Sequence, residues 1–325
     1  MMPTNDKILE LFENHLAQMQ APVEPQRLYA PLIYSMSGGG KRLRPMLLLL
    51  ACGMYADDLR PALNAAAAVE VFHNFTLLHD DIMDNALVRR GKPSVYARWG
   101  ANVAILSGDA MMICAYRLLR MSPEGLLPRL MDIFSKMAAE VCEGQQYDMD
   151  FSERQRVSVV EYMHMIELKT SALLAGAAAM GALIGGASDE DCRRLYKFAT
   201  ELGLAFQLQD DLLDTFGTEE LLGKRIGGDI LEGKQTYLML TALSRADEPT
   251  REILRNINKD ASQDDAAKIE TVKEIYRRLD VERSAEQQIS LRFERALGIL
   301  DSLNVGDGRT ERMKEFARSL MGRKK

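Results

Sequence analysis

Residues 77–94 read Leu77-Leu78-His79-Asp80-Asp81-Ile82-Met83-Asp84-Asn85-Ala86-Leu87-Val88-Arg89-Arg90-Gly91-Lys92-Pro93-Ser94, and the rest of the chain is arranged around them. They close an apolar run, residues 65–83, that reads as a helix. Residues four apart on a helix stack on one face, so Asp80 and Asp84 repel each other unless a cation lies between them. Oxygen-only donors of this kind suit a hard ion such as Mg²⁺, which keeps water or phosphate in its other positions. Arg89, Arg90 and Lys92 follow at once in a Gly/Pro-containing loop, a clamp for phosphate oxygens. Simple salt bridges would use the same charges. Carboxylates, metal and cations converging on a polyphosphate is the sharper reading.

Alone, Asp-Asp-x-x-Asp is a weak signal in an acidic helix. Here it recurs as Asp210-Asp211-Leu212-Leu213-Asp214 near the end of a second apolar segment, residues 193–216. Gln207, Asp210, Asp211 and Asp214 fall at i, i+3, i+4 and i+7, one continuous stripe; His73, Thr76, Asp80 and Asp84 make the matching stripe on the first helix. Two polar stripes on otherwise apolar helices are expected to face one another across a polar cavity. The bland alternative, two solvated acidic helix ends, leaves the flanking basic residues unexplained.

The 325 residues are 47% hydrophobic, enough for a sizeable core. Net charge is −6 with both signs interspersed, which argues against nucleic acid as a partner. Cys52, Cys114, Cys142 and Cys192 lie far apart in apolar helical patterns without metal-ligand spacing. With no signal-peptide pattern, they read as reduced core residues of a cytoplasmic protein. The uncharged run 171–188 is only just long enough to span a membrane and is mostly Ala and Gly. We expect no membrane span there but a buried helix with close neighbours.

In chain order, residues 5–20 form an amphipathic helix closed by Pro22 and Pro25, and Gly38-Gly39-Gly40 opens onto Lys41, Arg42 and Arg44. The glycines free the backbone to approach a ligand; a flexible interhelix loop with a solvated basic tail reads equally well from the residues. Helices follow over 46–55, 65–83, 101–121, 129–147 and 158–184, the last expected to be the longest, with Lys169-Thr170 interrupting its apolar surface. Ser188 and Asp191 resemble a capping box. A loop over 217–228 carries Gly223-Lys224-Arg225, and Lys234 begins a further helix. No alternating pattern persists, no repeat appears and no linker divides the chain. We expect an all-α single domain over 1–325, with ten or more helices.

With these pieces assembled, the chain resembles the trans-isoprenyl (polyprenyl) diphosphate synthases of the short-chain kind, over about residues 28–290. The resemblance rests on Gly38-Gly39-Gly40-Lys41-Arg42-Leu43-Arg44-Pro45, His73, the two Asp motifs, Arg89-Arg90-Gly-Lys-Pro, Lys169-Thr170, Gln207, and Gly223-Lys224-x-x-Gly-x-Asp229 followed by Gly233-Lys234, in that order. It implies an isoprenoid-synthase bundle around a central cavity, usually a homodimer, joining isopentenyl diphosphate head-to-tail to an allylic diphosphate. Carried over by position, Lys41, Arg44, His73 and Arg90 would hold isopentenyl diphosphate. Asp80 and Asp84 would hold two Mg²⁺ and Asp210 a third. Arg89, Lys169, Thr170, Gln207, Lys224 and Lys234 would hold the allylic diphosphate. Asp80, Asp84, Asp210, Lys169 and Lys224 would be the catalytic set.

Certain bacterial members carry two extra residues inside the first Asp motif; this chain lacks them, so product length falls to residues upstream of Asp80. Phe75 lies five positions before Asp80, Phe72 eight, and small Thr76 four. In the family that arrangement resembles the geranylgeranyl (C20) pattern, with farnesyl (C15) next; Phe75 as ordinary core packing is the alternative.

Elementary chemistry agrees. Breaking the carbon–oxygen bond of an allylic diphosphate leaves a cation and a highly charged anion, which metal ions and Lys/Arg stabilise. A class I terpene cyclase would share the first Asp motif but leave Lys41, Arg44 and Arg90 without purpose. A non-catalytic subunit of a heteromeric synthase would typically have lost one Asp motif, and both are intact.

Overall fold

A computed structural model describes residues 3–19, 22–154, 156–218, 226–259, 264–306 and 308–322. Among them the protein is helical almost throughout, as expected. The exception is a two-residue antiparallel pairing of Val88–Arg89 with Lys92–Pro93. Arg90 and Gly91 both have positive φ (52° and 72°), which marks a tight mirror-image turn between the strands. The basic loop after the first Asp motif is therefore a small hairpin with a fixed shape.

The chain folds into two compact units, each drawn from three separated segments. The first comprises Met1–Lys136, Gly176–Tyr196 and Leu303–Met313. Its core helix is Leu43–Gly53, apolar on every face and buried from Met46 to Gly53. Asn5–Gln18 turns Ile8 and Phe12 inward at i, i+4. Leu63–Met83 buries Ala65, Ala66, Ala67 and Ala68 completely, so small side chains here serve packing within the unit. The same holds for Ala177, Ala178 and Ala179. Close approach is most exacting at Gly181, where a Cβ would stand 1.9 Å from the Leu48 carbonyl oxygen, and at Gly185, 2.6 Å from that of Cys52. Ala101–Leu119 buries Ala104, Met111 and Ala115 but leaves Ile105, Leu106, Met112 and Ile113 exposed.

The second unit comprises Met137–Ala175, Lys197–Ser302 and Lys314–Lys325. Its core gathers Phe151, Tyr162, Leu208, Leu212, Tyr237, Leu240 and Tyr276. The capping box stands at Ser158 and Glu161, both reciprocal bonds made, at the start of Val159–Ile166. At the Ser188 pair only the bond from the Asp191 N–H to Ser188 Oγ is found among the described contacts.

Three expectations change. The 158–184 stretch is not one regular helix: Val159–Ile166 and Ala172–Gly185 are joined by a π turn, Glu167–Ser171. The longest helix is instead Asp189–Phe216, at 28 residues. The cysteines are all free, yet only Cys52 and Cys192 are buried, and Cys142 is exposed. Lys234 precedes rather than begins its helix, which runs Tyr237–Arg245. By length and composition alone Val159–Gly185 and Ala101–Leu119 would pass as membrane-crossing; 72% and 39% of their apolar windows are buried inside the protein.

Candidate functional site

In the first unit the residues of interest surround the C-terminal half of Leu63–Met83. The first two Asp motif positions part company. Asp81 is buried and accepts from Arg89 Nε at 2.9 Å and Nη2 at 2.5 Å, while Asp80 is half-buried and Asp84, the helix C-cap, is exposed. Burial pushes the Asp81 carboxyl up, against the neighbouring Arg89. Arg89, expected at a diphosphate, is thus engaged by Asp81.

Two turns earlier on the same helix, His73 Nε2 accepts from Arg44 Nη1 at 3.0 Å, which puts the ring proton on Nδ1. Burial, and then the charges of Arg44, Arg90, Arg89 and Arg42, hold His73 well below the usual histidine range, so it is neutral. Burial also lowers Arg44 to about 10, with Glu70 opposing and Arg90 adding to the fall. The Arg44 Nε is buried with no hydrogen-bond partner. Such an orphan donor costs about 1–3 kcal/mol unless a ligand takes it. Arg90 donates from Nη1 to the Gly39 carbonyl. Lys41 is exposed beside it in sequence. Of the four residues expected to grip isopentenyl diphosphate, Arg44, His73 and Arg90 are therefore neighbours, with exposed Lys41 three positions before Arg44 in the same unit.

In the second unit the π turn puts Lys169 and Thr170 opposite Leu127–Glu153 and Asp189–Phe216. Lys169 Nζ is 2.6 Å from Asp148 Oδ2, and Thr170 Oγ1 donates to Gln207 Oε1 at 3.0 Å. Five-residue π turns are rare and recur at functional sites because they re-aim side chains without breaking the helix. The Gln207 amide donates to Asp211 Oδ1 at 3.0 Å, and Tyr162 donates its hydroxyl to Asp211 Oδ2. Asp211 is pushed up to about 7, chiefly by burial and by Asp229, with the two hydrogen bonds pulling the other way. Asp214 Oδ2 accepts from the Asp229 N–H at 2.9 Å. Asp211 and Asp214 are buried, and Asp210 stays half-buried. Lys234 lies 2.8 Å from Glu232 and 3.5 Å from Asp229. Asp148, Lys169, Thr170, Gln207, Asp211, Asp229 and Lys234 line a recess of ≈ 200 Å³; Asp210 and Asp214 are not in its lining.

Of the expected allylic-diphosphate residues, Lys169, Thr170, Gln207 and Lys234 thus meet in one recess. Lys224 lies outside the described residues. Asp148, Tyr162 and Arg42 were not singled out by sequence reading, although each sits against a predicted residue. Among the product-length candidates, Phe72 and Phe75 are buried with ring centroids 5.4 Å apart. Phe72 packs on Phe134 at 5.4 Å, Phe75 on His79 at 4.7 Å, and Thr76 donates to the His73 carbonyl.

Among the described residues no three Asp, Glu, His or Cys side chains are gathered closely enough to hold a metal unaided. The donor chemistry nevertheless fits a hard cation: carboxylates alone, with Asp80, Asp84 and Asp210 not sunk in the core. Mg²⁺ is content with one or two such carboxylates when phosphate oxygens complete its shell.

A helical protein with two aspartate motifs and a cluster of cations in each unit has the charge pattern of a diphosphate-handling transferase. The chain belongs to the polyprenyl synthetase family, whose sequence pattern matches residues 25–278. It is 46% identical to a geranylgeranyl diphosphate synthase of Methanosarcina mazei over 68% of this chain and 69% of that one. To a geranylfarnesyl diphosphate synthase of Natronomonas pharaonis it is 39% identical, over 70% and 73%. A crystal structure of a geranylgeranyl pyrophosphate synthase superimposes with TM-score 0.94 at 43% identity, covering 100% of both chains. The Corynebacterium glutamicum geranylgeranyl pyrophosphate synthase, complexed with isoprenyl diphosphate and magnesium, gives TM-score 0.82 at 31% identity, covering 98% and 96%. The chain is a trans-prenyltransferase of the short-chain prenyl diphosphate type.

Proposed function

We propose that the protein condenses isopentenyl diphosphate with an allylic diphosphate and that geranylgeranyl diphosphate (C20) is its main product. The observation that carries this reading is the pair of distinct cation sets, one around Arg44 and His73 and one around Lys169 and Lys234; a cyclase needs only one. Lys41, Arg44 and Arg90 hold the isopentenyl diphosphate, and the buried orphan Nε of Arg44 is a donor in need of such an anion. Lys169, Thr170, Gln207, Lys224 and Lys234 hold the allylic diphosphate. Asp80, Asp84 and Asp210 would hold the Mg²⁺, three ions in all, which would supply charge neutralisation for the departing diphosphate.

The remaining chemistry is positional. The allylic carbon–oxygen bond breaks, the isopentenyl double bond attacks the resulting cation, and a proton is lost, for which the released diphosphate is the nearest base. Neutral His73 orients Arg44 without adding a fourth positive charge to Lys41, Arg44 and Arg90. Asp148 holds Lys169, and Tyr162 with Gln207 holds Asp211, so these groups need little reorganisation when substrate arrives. Phe75, buried and braced by Phe72 and His79, is the floor on which a C20 tail ends. Residues 1–325 work as one polyprenyl synthase domain, in the cytoplasm, as a homodimer. The assembly reading is supported by the exposed apolar face of Ala101–Leu119, where Ile105, Leu106, Met112 and Ile113 recur at helical spacing and fit a second copy of the same face.

Incubating the purified protein with Mg²⁺, radiolabelled isopentenyl diphosphate and dimethylallyl, geranyl or farnesyl diphosphate in turn tests the activity. We expect label in acid-labile products that, once dephosphorylated, run as C20. Label entering only hydrocarbons, or no dependence on an allylic starter, overturns the reading. Light scattering gives about twice the 36.4 kDa chain mass if it is a dimer.

A further inference from the structure

Arg42 has a position that none of the roles above uses. It sits between Lys41 and Arg44, yet its own side chain is buried, 6% exposed, and turned away from solvent. Its backbone is left-handed (φ 47°, ψ 38°) at the N-cap of Leu43–Gly53, a conformation that L side chains other than Asn and Asp rarely adopt. Something must hold it there, and three contacts do. Nε donates to Glu13 Oε1 at 2.8 Å, Nη1 to Glu70 Oε1 at 2.7 Å, and Nη2 to the Met36 carbonyl at 3.2 Å. Glu70 is itself fixed: it is 2% exposed and accepts at Oε1 from Asn74 Nδ2 at 3.2 Å.

The geometry has a consequence for the neighbours. A left-handed residue breaks the phase of the chain, so Lys41 does not continue the helix that carries Arg44. The glycine loop just before it, with Gly39 and Gly40 at φ +71° and +143°, wraps Arg90: a Cβ at Gly40 would stand 3.0 Å from Arg90 Nη1. Glu70 lies one turn before His73 and Asn74 on Leu63–Met83, so the same anchor that holds Arg42 is rigidly tied to the helix presenting His73. Arg44 in turn donates to His73. The Arg42 fork thus ties the start of the helix that carries Arg44 to Asn5–Gln18, to the end of Gln26–Met36 and to Leu63–Met83, the last of which presents His73 to Arg44.

We propose that Arg42 is a positioning residue, which, clamped by Glu70 and Glu13, sets the directions of Lys41 and Arg44 toward isopentenyl diphosphate. The proposal rests on the assignment of Lys41 and Arg44 to that substrate. A merely structural ion pair would make a different prediction. Removing Arg42 alone strands the buried Glu70, which destabilises the fold whatever the role; removing both charges relieves that strain but does not restore the aim of the turn.

The test compares Arg42→Gln, Arg42→Gln/Glu70→Gln and Glu13→Gln with the wild-type full chain, measuring Tm and the KM for each substrate. In the double variant Tm returns toward wild type, while the isopentenyl KM stays raised about tenfold or more and the allylic KM moves by less than about twofold. A double variant with recovered Tm and a wild-type isopentenyl KM overturns the proposal, as does an equal rise of both KM values. Should the double variant fail to fold, Glu13→Gln, which alters a half-exposed carboxylate and keeps the Glu70 bond, decides instead: a raised isopentenyl KM supports the clamp and an unchanged one overturns it. Lys41→Ala and Arg44→Gln separate the two levels. If both leave the isopentenyl KM unchanged, the substrate assignment fails and the proposal with it; if both raise it and the Arg42 variants do not, the proposal alone fails.

Discussion

Gly144→Ala offers a sharp test of how the π turn is held. Gly144 lies in Leu127–Glu153, one turn before Asp148, and its Cα faces the backbone of Glu167–Ser171. A Cβ there would stand 2.3 Å from Lys169 N, 2.6 Å from Lys169 Cα and 2.8 Å from Leu168 C. All three are backbone atoms, so no side chain can swing aside. Ordinary contact begins at 3.4 Å, so helix and turn must part by about 1 Å. The stability terms partly offset: overpacking costs about 1–3 kcal/mol and replacing a mid-helix glycine by alanine returns about 1 kcal/mol, a net loss of at most about 2 kcal/mol. Function has no such offset. Lys169 and Thr170 ride on the displaced backbone, and a misplacement of about 1 Å in a positioned site costs on the order of a hundredfold. We expect kcat/KM for the allylic substrate to fall by about that factor, with far-ultraviolet circular dichroism unchanged and Tm only slightly lowered. Gly298→Ala is the control, since its Cβ meets nothing within 4 Å and Gly298 is also helical; it should gain about 0.5–1 kcal/mol and leave activity alone. Wild-type kcat/KM in Gly144→Ala would refute the reasoning.

Other expectations are simpler to check. EDTA should abolish turnover and Mg²⁺ restore it, while Asp80→Asn folds normally but loses orders of magnitude in kcat; a folded Asp80→Asn protein with near-normal turnover removes the metal assignment. Phe75→Ala should lengthen the product to C25 or beyond, read by thin-layer chromatography of the dephosphorylated alcohols, and an unchanged distribution removes Phe75 as the floor. Burial and four arginines hold His73 below its unfolded value of about 6.5. In the window below that value the unfolded chain takes up a proton that folded His73 refuses, so stability falls as pH drops. Urea unfolding at pH 7.5 and 5.5 should show a smaller loss in His73→Gln than in wild type.

What could be read from the residues alone divides along a physical line. Apolar periodicity and the Gly/Pro breaks are local, so helix class and most helix positions were legible from them. The Asp motifs were legible for the same reason: i, i+4 spacing places carboxylates by itself. The contacts that aim the site are not local. Arg42 meets Glu70 28 positions away and Glu13 29 away, and Lys169 meets Asp148 21 away. Nothing in either neighbourhood marks them. Arg89 reads as a phosphate ligand from its place after an Asp motif, and its pairing through Nε and Nη2 with Asp81, eight positions back, was not legible in the same residues. The π turn escaped because its residues, Glu167 to Ser171, carry no breaker; it comes from packing, with Gly144 leaving room for the extra residue. Gly144 and Gly181 look like weak points in helices and are in fact the places where another backbone arrives.

The central claim is that two cation sets hold two different diphosphates, and a crossed kinetic measurement tests it most directly. Both KM values are measured in wild type, Arg90→Ala and Lys169→Ala. Each substitution removes a charge-assisted contact worth about 1.5–3 kcal/mol, roughly ten- to a hundredfold. The account predicts that Arg90→Ala raises the isopentenyl KM by that factor and spares the allylic one, and that Lys169→Ala does the reverse. Equal effects of both substitutions on both substrates would contradict it.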